Sequence, residues 1–122
     1  MPTQQRVERL IATVERHALV EAIDEFYADN VVMQENGHPP TVGKAANRDR
    51  ERGFLASVAR FHEVRALSAL VHGDRAVIHW IFDYTGTDGG RYRLDQLAWQ
   101  RWEGDRVVEE RFFYDSAAVR AA

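Results

Sequence analysis

The stretch RAVIHWIFDYTGTDGGRYRLDQLAWQRW, residues 75–102, holds two long runs rich in β-branched and aromatic residues. They are separated by Thr87-Asp88-Gly89-Gly90. Such runs on either side of Gly/Asp turn chemistry predict an antiparallel hairpin. The same grammar extends both ways. Phe61–His72 precedes it across Gly73-Asp74, and Arg106–Tyr114 follows it across Gly104-Asp105. The second half of the chain is therefore expected to be a four-stranded antiparallel meander. A sheet of that length must twist and curl.

The first half reads as helices. Val7, Leu10, Ile11 and Val14 form an i, i+3, i+4, i+7 stripe, with Thr3 as the expected N-cap. Leu19, Ile23, Phe26 and Tyr27 continue an apolar face up to Asp29-Asn30, where a turn is expected. One bent helix or two helices hinged near His17-Ala18 both fit. Val31-Val32-Met33 is a short β-branched run that ends in an extended loop, Gln34 to Pro40. Lys44–Val58 is helical again, with Ala45, Phe54, Leu55 and Val58 on its apolar side. Arg48-Asp49-Arg50-Glu51-Arg52 is expected to be its solvated face. Helices followed by strands, with no alternation, indicate an α+β domain spanning residues 1–122.

Composition narrows function. Of 122 residues, 45% are hydrophobic and 29% charged, as in soluble globular proteins. There is no cysteine, which excludes disulfides, thiolate metal sites and thiol catalysis. The net charge of −3 disfavours a nucleic-acid partner. No apolar run approaches the roughly 20 residues of a membrane span, and no secretory signal is apparent, so a cytoplasmic protein is expected. The single lysine, Lys44, among sixteen basic residues points to a GC-rich bacterial source. His17, His38, His62, His72 and His79 are scattered without metal-ligand spacing, so no metal is expected.

Two segments carry a family resemblance. Phe26-Tyr27-Ala28-Asp29-Asn30-Val31-Val32-Met33-Gln34-Glu35 resembles the strand-and-acid segment of the nuclear transport factor 2-like superfamily. The run Asp95–Val108, closing with Glu110-Arg111-Phe112-Phe113-Tyr114-Asp115, is similar to the last hairpin of its SnoaL-like members. The resemblance implies a cone-shaped curved sheet wrapped around N-terminal helices. It also implies a pocket at the wide end and a homodimer through the convex face. Combined with strand alternation, it places Ile78, Trp80, Phe82, Gln96, Ala98, Phe112 and Tyr114 inward. Ile81, Leu97, Trp99 and Phe113 then face outward with charged neighbours, as a dimer interface would.

The superfamily includes isomerases, cyclases, epoxide hydrolases, dehydratases and non-catalytic members, so the site must decide the chemistry. Glu35 matches the general-base position of ketosteroid isomerases, but their oxyanion donors align with Ile11 and Ala98. Arg93 and Asp95 imitate an epoxide-hydrolase constellation on the wrong strand. Glu110 points inward and needs a partner, Gln96 or Gln100. It reads as part of a structural network before it reads as a catalytic group.

The expected function is small-molecule binding in an apolar pocket, with a hydrophobic, cyclic ligand. The pocket walls would be Met33, Phe54, Ile78, Trp80, Phe82, Gln96, Ala98 and Phe112. Any catalysis would be cofactor-free acid–base chemistry of the isomerase, cyclase or dehydratase type, with Glu35 as proton acceptor and Tyr114 or Gln96 as the orienting group. The alternative is a non-catalytic dimeric binding or accessory domain of the same fold.

Overall fold

The computed structural model describes residues 3–120. Three helices pack on one face of a curved, unclosed six-stranded sheet, giving an α+β cone. The helices are α1 (Thr3–Glu15), α2 (Leu19–Phe26) and α3 (Lys44–Ala56). The strands are β1 (Tyr27–Glu35), β2 (Thr41–Val42), β3 (Val58–His72), β4 (Arg75–Gly86), β5 (Arg91–Glu103) and β6 (Arg106–Phe113).

Thr3 lies within α1 rather than capping it. α1 buries Val7, Leu10 and Val14, three members of the predicted stripe. His17, at a φ of 68°, then turns the chain. Its N–H bonds to Val14 O at 2.8 Å and that of Ala18 to Thr13 O at 3.3 Å. This left-handed stop makes two helices rather than one bent helix. Arg6 is buried too. Its guanidinium lies 4.4 Å from the Phe26 ring centroid and donates to the carbonyls of Glu25 and Asp105. One side chain thus ties α1 to the end of α2 and to the β5–β6 hairpin.

The expected meander is present as β3–β6, with junctions at the predicted glycines. Two differences follow from long-range pairing. Asp29-Asn30 is not a turn. The strand starts at Tyr27 and runs through it as an irregularity between two stretches parallel to β6, Tyr27 opposite Val107 before it and Val32–Glu35 opposite Glu109–Phe112 after it. Thr41-Val42 then pairs antiparallel with β1. The sheet order is therefore β2-β1-β6-β5-β4-β3, a six-stranded mixed sheet in place of four antiparallel strands.

The side-chain parity of β4 and β5 is as alternation predicts. Ile78, Trp80, Phe82, Gln96 and Ala98 are buried, whereas Leu97 and Phe113 are 45% and 43% exposed. Ile81 is an exception within the outward set. It lies outside the main hydrophobic cluster, yet it is only 1% exposed. Its cross-strand neighbours Arg65 and Asp95 flank it on that face. Register shifts along β3–β4 and near Arg101/Trp102 supply the local bends of a curled sheet.

Asn47 fixes the start of α3. Its side chain is fully buried, and Nδ2 donates to Thr41 O at 3.1 Å and Gly43 O at 2.9 Å. Gly43 enters this turn at a φ of 96°, which favours glycine.

Candidate functional site

A cavity of about 310 Å³ lies between the helices and the concave face of the sheet. α1 and α2 supply Leu10, Val14, Leu19, Ala22 and Ile23 to one wall. Trp80 and Phe82 from β4, Leu94 from β5, Phe112 from β6 and Phe54 from α3 supply the aromatic and aliphatic remainder. Polar groups enter from β1, α3, β5 and β6: Tyr27, Glu35, Arg50, Glu51, Gln96, Gln100 and Glu110.

The residues expected to meet are largely brought together. Met33, Glu35, Phe54, Trp80, Phe82, Gln96 and Phe112 all line this cavity. Ile78 and Ala98 do not. They are cross-strand partners, fully buried in the core, with no surface left for a ligand. Tyr114 is not part of the lining either. Its hydroxyl donates to Glu35 Oε1 at 3.2 Å, which places it behind that carboxylate. Burial and the Glu35 charge raise its phenol's pKa. His38 is exposed on the loop after β1, and Asp95 pairs with His79 at 2.6 Å on the outer face.

Glu110 is the most constrained group in the cavity. It is 1% exposed. Tyr27 donates its hydroxyl to Glu110 Oε1, and Gln100 Nε2 donates to Oε2 at 2.7 Å. Trp102 Nε1 in turn donates to Gln100 Oε1 at 3.0 Å. That last bond fixes which end of the Gln100 amide faces Glu110, because an indole N–H only donates. Desolvation dominates the two donors, and the Glu110 pKa rises from 4.5 to about 7. The Tyr27 phenol is pushed well above its ordinary value by burial and by Glu110 beside it. Of the two partners considered for Glu110, Gln100 is the one used. Tyr27, 83 residues away, is the partner that sequence reasoning missed.

The expectation of a solvated Arg48–Arg52 face is corrected in part. Arg50 and Glu51 turn toward the cavity. Arg50 lies 3.7 Å from both Glu35 Oε2 and Glu51 Oε2, and its Nε donates to Asn47 Oδ1 at 3.3 Å. Burial raises the Glu51 pKa, with Arg50 opposing and Glu35 adding to the shift. The signal available was helical spacing: Asn47, Arg50, Glu51 and Phe54 share the 3–4 residue period of one face. Among the described residues, no group of three His, Cys, Asp or Glu side chains is arranged to hold a metal, and no helix is long and apolar enough to cross a membrane.

A curled sheet, three covering helices and an acid-bearing internal cavity define a class of small α+β cones. A profile of the SnoaL-like domain matches residues 7–110, and the chain belongs to that family. A SnoaL-like protein of Mesorhizobium loti that is a candidate polyketide cyclase superposes with a TM-score of 0.84. It is 20% identical, over 93% of this chain and 100% of that one. An NTF2-like protein of unknown function from Burkholderia pseudomallei gives 0.80 at 16% identity, over 93% and 91% of the two chains. An LEH-like epoxide hydrolase of Mycobacterium tuberculosis gives 0.75 at 15% identity, over 94% and 84%. These likenesses concern the fold. No curated protein matches the chain.

Proposed function

We propose that this protein binds a small hydrophobic, ring-bearing molecule in the cavity and carries out cofactor-free proton transfer on it, with Glu110 as the acid–base group. The observation that carries this reading is a fully buried carboxyl, facing the cavity, with a pKa of about 7. A general acid–base works best when its pKa lies near the operating pH. Glu110 takes a proton from a C–H or O–H of the ligand and returns it at a second position, as isomerisation, cyclisation or dehydration requires. Tyr27 and Gln100 hold the carboxyl in place. Glu35, braced by Tyr114 and Arg50, is the second carboxylate, and Trp80, Phe82 and Phe112 stack against the ring.

A screen of cyclic ketones, alcohols and epoxides for thermal stabilisation, followed by turnover assays across pH, tests the reading. Turnover is expected to depend on an ionisation near pH 7 that Glu110→Gln removes and Glu35→Gln leaves in place. Turnover with an unchanged profile in Glu110→Gln removes Glu110 from the mechanism.

The protein is further proposed to be a homodimer through the outer sheet face. Leu97 and Phe113, opposite each other on β5 and β6, are both exposed there, beside Trp99. Arg111 lies on the same face, opposite Trp99, with its guanidinium 4.9 Å from the Phe113 ring centroid and donating to Asn36 O at 3.3 Å. Ile81 is already covered within one chain, so Leu97, Trp99 and Phe113 form the contact.

A further inference from the structure

The polar lining of the cavity is unbalanced. Three carboxyl groups, Glu35, Glu51 and Glu110, face one guanidinium, Arg50. The donors around them are engaged within the protein. Tyr27 and Gln100 serve Glu110, and Arg50 is shared among Glu35, Glu51 and Asn47. Gln96 differs. It is 6% exposed and lines the cavity, and its side chain takes part in no hydrogen bond among the described residues. Its amide atoms are not sealed from solvent, so the amide opens into the cavity, where a ligand can bond it.

We infer that the cavity takes a small hydrophobic cation, a ring-bearing amine whose ammonium group sits among the Glu51, Glu110 and Gln96 side chains while its ring lies against Trp80, Phe82 and Phe112. This rests on the reading of the cavity as a ligand site and names the ligand's class.

Three physical terms favour it. A cation near a desolvated carboxylate favours the charged form that burial otherwise penalises. The ligand's ring stacks on the aromatic wall, a contact worth more than the apolar area it buries. The Gln96 carbonyl accepts an ammonium N–H, whereas a carboxylate ligand adds a fourth acidic group to the same space. The volume, about 310 Å³, lies at the small end of ligand cavities, which suits one or two fused rings. The bound cation also holds Glu110 ionised, as a base at neutral pH.

1-Naphthylmethylamine, 1-naphthylmethanol and 1-naphthoate share a ring and differ in head-group charge. Calorimetric titration of the full chain at neutral pH is expected to rank them amine, alcohol, acid, with the amine at least tenfold tighter than the alcohol. In Glu51→Gln, an isosteric change, the amine loses most of that advantage and the alcohol is unaffected. Gln96→Leu weakens every compound that binds. Circular dichroism establishes that each variant is folded. If the alcohol or the acid binds as tightly as the amine, cation selection is overturned and the ligand-site reading stands. If none binds the wild type, or if binding is indifferent to both Glu51→Gln and Gln96→Leu, the ligand-site reading falls as well.

Discussion

Replacing Glu110 by Gln has a pH-dependent consequence whose sign and size follow from its burial. A carboxyl with a pKa of 4.5 in the unfolded chain and about 7 in the native protein keeps its proton in the fold after the unfolded chain has released it. Unfolding in that interval releases a proton, so the group's contribution to stability falls as pH rises from 4.5 to about 7 and is level on either side. The loss is about 3 kcal/mol, from the size of the shift and about 1.4 kcal/mol per pH unit. Glu110→Gln removes this term. The replacement amide keeps the volume and can accept from Gln100 while donating to the Tyr27 oxygen. Urea unfolding of both proteins, followed by tryptophan fluorescence across this pH range, isolates the term because other titrating groups cancel. Wild-type stability minus that of Glu110→Gln should fall by about 3 kcal/mol between pH 4.5 and pH 7 and then level off. A difference that is flat with pH, or that rises, refutes the claim that burial outweighs the two donors.

Three further outcomes are expected. Tyr27→Phe removes a hydroxyl that favours the Glu110 carboxylate, so the same fall in stability should extend above pH 7, and a midpoint that moves down would contradict the hydrogen-bond assignment. Asn47→Ala removes a buried amide that donates to the half-buried carbonyls of Thr41 and Gly43, the latter keeping its backbone N–H donor, and should cost about 1 kcal/mol in chemical denaturation, whereas a change near zero would show that the amide does not secure α3. Trp99→Asp on the outer face should give a monomer in sedimentation velocity, and a variant that stays dimeric would exclude that face.

Local features were readable from the chain, and partners distant in sequence were not. Gly73-Asp74 and Gly104-Asp105 announce their hairpins because turn chemistry acts within a few residues. The parity of Trp80, Phe82 and Gln96 follows from strand alternation alone. The continuation of β1 past Asp29-Asn30 depends on β6, about 80 residues later, which pairs with Tyr27 before the break and with Val32–Glu35 after it. Arg50 and Glu51 were hidden in a run of five charged residues, where the common reading is a solvated face. Helical spacing to the buried Asn47 was the clue available. Glu110 was legible as an inward acid, and Gln100 as one of two partners. Tyr27, which shares its charge, was not, because β1 had to be placed beside β6 first. The core assignment of Ile78 and Ala98 turned on depth along the cone, which alternation does not report.

The most direct test of Glu110 as the acid–base group is a site-resolved titration. With glutamate side-chain carboxyl carbons labelled with carbon-13 and the Glu110 resonance assigned by its loss in Glu110→Gln, NMR follows the ionisation of that one group. The structure predicts a midpoint near pH 7 for Glu110. A midpoint near the ordinary 4.5 would contradict it and leave the cavity without a group poised to transfer protons at neutral pH.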